Sequence, residues 1–406
     1  MPEMNRLRYI AFLFLTSLTF AGVAGAQESR AEALRQEREE KQRTAQPYDP
    51  NTLETVLKAV ERSGVPLITR DGVYAKLGSL TTGSGFAYGA GFRTHRFLSR
   101  EAGADAWAGA SIKGYWATEA RVRFPNLADG RVLAEGYGRR HEYPQEDYFG
   151  LGPASARDAQ TDYTLRVSTF GARAAVRAAP IVAIGGGIEY LEPRVGNGKD
   201  QAQPSIGELF DEASTPGLSG QPNYLRTIAF VDIDWRRPLN ARSGGWYRAE
   251  FSRYDDRDLG AFTFNRLDLD LRQFVGFLSE RRVLFARAFA STSDTATDQQ
   301  MPFYLMPTLG GNDSLRGFRD YRFRGPHAVL FQGEYRFEIW SGLDGALFYD
   351  AGKVAMRRAD LGLRDLESDY GFGFRFNTDN GVVVRVDAAF GSRDGKHLWI
   401  VFGGTF

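Results

Sequence analysis

The sequence predicts an all-β fold: a 16-stranded antiparallel transmembrane β-barrel preceded by a short N-terminal helix. Three observations carry that prediction. Beyond residue 72, apolar and polar residues alternate with a period of two, segment after segment. The N-terminus reads as a secretion signal. No later window approaches 20 consecutive apolar residues, so a mature chain that crosses a membrane crosses it with strands. The 46 glycines and the 13% aromatic content suit many turns and aromatic belts.

In chain order, residues 1–26 are the signal peptide. Arg6 and Arg8 form a basic region, residues 9–20 an apolar core, and Ala24-Gly25-Ala26 an A-x-A cleavage site. Residues 27–71 form a periplasmic polar leader and one short amphipathic helix. In that helix Leu53, Val56, Leu57 and Val60 fall on one stripe, Asn51 and Glu54 resemble a capping box, and Gly64 is placed to end it. The stripe is expected to dock against the periplasmic mouth or inside the lumen.

Residues 72–406 form the outer-membrane β-barrel. The predicted strands are 73–81, 84–96, 104–113, 116–125, 130–143, 162–178, 181–192, 223–237, 244–255, 262–278, 281–293, 327–340, 343–354, 368–379, 381–391 and 396–406. In the strand at 262–278, Leu267, Leu269, Leu271, Val275 and Phe277 oppose Arg266, Asp268, Asp270 and Arg272. In the strand at 327–340, Val329, Phe331, Tyr335, Phe337 and Ile339 oppose Leu330, Gln332, Glu334, Arg336 and Glu338. A soluble sandwich also alternates. Closely spaced charges of both signs on the polar phase suit a wet lumen, where opposite charges pair, with lipid outside. Connections alternate long and short, as they do in bacterial barrels.

Composition excludes several functions. A formal net charge of +1 gives no field for nucleic acid. With no cysteine there is no disulfide, thiol catalysis or lipid-bearing N-terminal cysteine. His95, His141, His327 and His397 share no metal-ligand spacing, and neither a metal nor another cofactor is expected. No nucleophile elbow, P-loop or dinucleotide-binding glycine pattern occurs, and the chain is not read as an enzyme.

One stretch stands apart. Residues 307–326, PTLGGNDSLRGFRDYRFRGP, pack glycines and arginines into a loop with no long apolar run. The tetrad Leu315-Arg316-Gly317-Phe318 within it resembles the loop-6 signature of the BamA/TamA superfamily, also called the bacterial surface antigen family. FYDAG, with Phe348, Asp350 and Gly352, and GFGFR, with Gly371, Gly373 and Arg375, resemble two further motifs of that family in the same order. The terminal strand, with Phe402 and Phe406 in one phase, resembles the C-terminal assembly signal of outer-membrane barrels.

The resemblance implies that the loop tucks into the lumen and that Arg316 meets the inner wall. Strand parity places Asp350, Arg375, Glu334 and Arg336 on that wall, where a guanidinium fork can engage a carboxylate in a bidentate pair. Full family members carry periplasmic POTRA modules, and residues 27–71 are too few for one. The expected function is assistance to insertion or translocation of proteins or lipids at the outer membrane, through a weak seam between first and last strands. The alternatives are a passive pore or two-partner-secretion-like translocator, and a structural surface-antigen barrel. Expected partners are outer-membrane lipid, the barrel assembly machinery during biogenesis, and a client protein or lipid.

Overall fold

The computed structural model describes residues 71–97, 102–236, 242–378 and 381–402. The signal peptide, the leader with its helix stripe, Gly403, Gly404 and Phe406 lie outside the described residues. The barrel strands are β1 (Gly72–Gly78), β2 (Ala87–Thr94), β3 (Gly103–Ser111), β4 (Trp116–Asn126), β5 (Val132–Tyr148), β6 (Thr161–Ala179), β7 (Val182–Asn197) and β8 (Tyr224–Asp234). They continue as β9 (Gly244–Asp256), β10 (Phe264–Phe277), β11 (Arg282–Thr295), β12 (His327–Trp340), β13 (Leu343–Ala355), β14 (Glu367–Thr378), β15 (Gly381–Ser392) and β16 (Gly395–Phe402). All sixteen form one sheet in chain order, each pairing antiparallel with the next. The sheet is thus a nearly closed meander, whose edges among the described residues are β1 and β16.

The two phases of each strand explain its sidedness. On β10, Leu267, Leu269 and Leu271 are 36–43% exposed on the outer surface, where lipid replaces water. Asp268, Asp270 and Arg272 take the other phase and pair inside: Arg272 donates to Asp270 at 2.7 Å, and so does Arg287 of β11 at 2.9 Å. Farther round the wall, Glu189 accepts from Arg173 at 2.7 Å and from Arg226 at 2.9 Å. Inward charge is satisfied by neighbouring strands, which is how a period-two pattern with mixed charges becomes a stable inner face.

Two apolar clusters sit at the end that carries the long connections. Tyr148 and Tyr163, from β5 and β6, pack their rings on Phe303 at 5.1 and 5.0 Å, and Ile206 and Tyr304 join the cluster. Ile206, Phe303 and Tyr304 come from connections that fold over that end of the barrel. Arg324 is buried beside the cluster, donating to the Phe303 carbonyl at 2.9 Å and to Tyr163 Oη at 3.0 Å. Aromatic edge-to-face packing and the two Arg324 hydrogen bonds hold the connections as one layer.

Candidate functional site

Residues 307–326 leave the long-connection end and run inward. A two-residue ladder, Thr308–Leu309 with Phe323–Arg324, pins the base of the loop. Leu309, Leu315, Phe318 and Phe323 are each scattered in sequence, yet they form one buried cluster with Ala328 and Leu330 of β12 and Val354 of β13. Burying such side chains contributes about 1.5–3 kcal/mol each. This apolar face brings the loop against the wall and delivers Arg316 to it.

Arg316 is fully buried. Its Nε donates to Asp350 Oδ2 at 2.6 Å and its Nη2 to Asp350 Oδ1 at 2.8 Å, a two-pronged fork. Nη1 donates to Glu334 Oε2 at 2.9 Å and lies 3.6 Å from Asp387 Oδ2. The guanidinium carbon stands 3.5 Å above the Phe348 ring. Burial opposes the charge, but Asp350 and Glu334 outweigh it and raise the Arg316 pKa well above its ordinary value. A planar cation stacked on a ring and clamped by carboxylates is a geometry that Arg fills and Lys does not.

The wall glycines make room for these groups. Phe348 of β13 lies directly opposite Gly371 of β14. A Cβ at Gly371 would run into the Phe348 ring and the Ala388 carbonyl, so the glycine lets the ring lie flat beneath Arg316. A Cβ at Gly373 would strike the Asp387 carboxylate, and at Gly352 it would sit 2.7 Å from the Val329 carbonyl and 3.2 Å from Leu309. On the loop, a Cβ at Gly317 would collide with Asp369. Each motif glycine therefore marks a close approach, not a flexible joint.

The other wall residues extend the network. Arg375 donates to Glu334 Oε2 at 2.7 Å and to Asp387 Oδ1 at 2.5 Å. Arg336 donates to Glu334 Oε1 at 2.6 Å and stands over the rings of Phe274 and Phe285. Glu334 is thus shared by three arginines. Phe402 lies at the end of β16, its ring 5.3 Å from that of Phe86.

Asp387, Arg385, Asp369 and Trp399 also meet the loop or its partners, and the motifs did not mark them. Arg385 and Asp387 carried a usable signal, since they are the charged phase of β15. Trp399 carried none: its indole N–H donates to the Arg316 carbonyl at 2.6 Å, a contact set by barrel closure alone.

Comparison with family models matches residues 247–394 to the Omp85 superfamily domain. That span holds Arg316, Glu334, Asp350, Arg375 and Asp387, the complete ionic network around the loop. That stretch carries the Omp85-superfamily match, and the rest of the chain shares a barrel fold. Among solved structures, the chain is similar to BamA from Haemophilus ducreyi lacking POTRA domains 1–3, with a TM-score of 0.59 and 12% identity over 86% of this chain and 77% of that one. It is also similar to CdiB from Escherichia coli, with a TM-score of 0.55 and 13% identity over 83% of this chain and 62% of that one. For CdiB from Acinetobacter baumannii the TM-score is 0.51, with 12% identity over 81% of this chain and 59% of that one. At these identities the likeness is one of fold. A comparison with curated proteins gives no match.

Proposed function

We propose that this barrel assists the insertion or translocation of proteins or lipids at the outer membrane, and that its working surface is the edge between β1 and β16. The observation that carries this reading is the edge itself. β1 has 7 residues and β16 has 8, and among the described residues no ladder joins them, whereas every other neighbouring pair is hydrogen-bonded. Unpaired backbone N–H and C=O groups at a sheet edge are a template for an incoming strand.

The lumen supports the same choice. It holds the loop on a buried ionic network, and packed connections lie at its long-connection end. A passive pore or two-partner-secretion-like translocator needs that loop displaced. A signal cleaved after Ala26, periplasmic passage and folding by the barrel assembly machinery are the biogenesis route this reading assumes.

The test is reconstitution in liposomes with a urea-unfolded eight-stranded outer-membrane barrel as client and an entrapped dye as flux probe. Folding of the client several-fold faster than in empty liposomes, without dye release, is expected. Dye release without client folding favours the pore. Neither activity favours a structural surface-antigen barrel.

A further inference from the structure

Loop 307–326 touches the barrel on both sides of the open edge. On the β1 side lies the β1–β2 connection, residues 79–86. Thr81 Oγ1 and Tyr321 Oη are 3.0 Å apart, Tyr321 Oη donates to the Thr82 carbonyl at 3.2 Å, and Thr82 Oγ1 donates to Asn312 Oδ1 at 3.3 Å. Gly83 packs on Asp320 so closely that a Cβ there would lie 2.9 Å from the carboxylate.

On the other side lie β15, β16 and their connection. Trp399 donates to the Arg316 carbonyl at 2.6 Å, and the Ser392 hydroxyl donates to the Gly317 carbonyl. Arg385 donates to the Asn312 carbonyl at 2.7 Å, and Arg322 meets Asp394 at 3.2 Å. Asn312 is therefore held from both sides, by its side chain toward β1 and by its backbone toward β15.

Among the described residues, direct contact between the edge strands is sparse by comparison. The Phe402 carbonyl lies 3.3 Å from where a Gly78 Cβ would be, and the Phe86 and Phe402 rings meet.

We propose that the loop is a strap that holds the β1/β16 edge shut, where no ladder joins the two strands among the described residues, and that it releases at its β1 end. The asymmetry follows from the chemistry of the two sides. The bonds toward β1 join hydroxyls, a carboxamide and a carbonyl, all neutral. Those toward β15 and β16 include charged guanidinium donors, which make stronger bonds. Tyr321, at the β1 end, also holds φ = 55°, a left-handed backbone unfavourable for a bulky side chain. Releasing Tyr321 relieves that backbone and breaks its bonds to Thr81 and Thr82, while Arg316 stays on the wall. The proposal rests on the function above only for what passes at the edge; the closure itself is measured without a client.

The experiment is a distance measurement across the edge in lipid nanodiscs. The chain has no cysteine. Tyr88→Cys on β2 and Leu398→Cys on β16, both on exposed outward positions, are then the only sites for paired spin labels. In this parent a narrow, short distance distribution is expected. Adding Thr82→Val with Tyr321→Phe should raise the longer-distance fraction roughly tenfold, with the heat-modifiable band retained. Adding Trp399→Phe instead tests the strap from its other end. A lengthened population in either variant supports the strap; the parental distribution in both, in folded protein, overturns it. If the edge responds while the liposome client assay fails, the strap stands and the proposed function falls.

Discussion

Arg316 concentrates the energetics of the loop in one side chain. It is fully buried, its fork is closed on Asp350, and it supplies one of the three guanidinium contacts of Glu334. Removing one member of a buried ionic pair leaves an uncompensated charge and costs about 3–5 kcal/mol. Arg316→Ala should therefore free the loop, and limited proteolysis between residues 307 and 326 should read this as cleavage absent from the parent. Arg316→Lys should leave the loop cleavable as well, because an ammonium cannot span both Asp350 oxygens and stack on Phe348. Wild-type resistance in both variants would show that the loop is held without the fork. Strand parity together with the motif resemblance made Asp350, Glu334 and Arg375 legible in the sequence as wall residues. Asp369 and Trp399 were not legible, because their places depend on cross-strand register and closure, which no local pattern encodes.

At the scale of elements, the strands were legible from alternation, and the loop only through its motif. Alternation with mixed inward charge marks each barrel strand, since a slip of one residue would turn its charges into lipid. For residues 307–326 the motif resemblance implied a lumenal loop, but its apolar face was hidden, because Leu309, Leu315, Phe318 and Phe323 are too dispersed to form a run. Their cluster exists only once β12 and β13 stand behind them. Arg322 and Arg324 are buried as well, with partners far away in the chain: Asp394 and Ser155 for the first, Tyr163 and Phe303 for the second.

The loop also carries a pH dependence. Burial, with Asp147 and Asp313 nearby, raises the Asp320 pKa from 3.8 to about 7, against the opposing pull of Lys113. The folded loop thus prefers Asp320 protonated. This contribution to stability is fully present below pH 3.8 and is lost as pH rises through about 7. Protease resistance of the loop should be greater at pH 5 than at pH 8, and Asp320→Asn should flatten the difference. A difference unchanged in Asp320→Asn would assign the effect to another group.

For the whole molecule, the sheet, the loop and the edge form one arrangement. Sixteen strands leave β1 and β16 without a ladder between them among the described residues, and the loop occupies the lumen behind that edge. The strand count was legible from the alternating segments and connection lengths. The loop's contacts on both sides of the seam were not, since Thr82 and Asn312 stand 230 residues apart in sequence. The central claim is that client passes at the edge and not through the lumen. Its most direct measurement is site-specific photo-crosslinking, during reconstituted folding of the eight-stranded client. The crosslinker would replace Val73 or Ile400, which are exposed on the outer face of the edge strands, or Arg121, which lies on the inner wall paired with Glu135. Client crosslinks at Val73 and Ile400 with none at Arg121 are the predicted result. Crosslinks at Arg121 with none at the edge would contradict it.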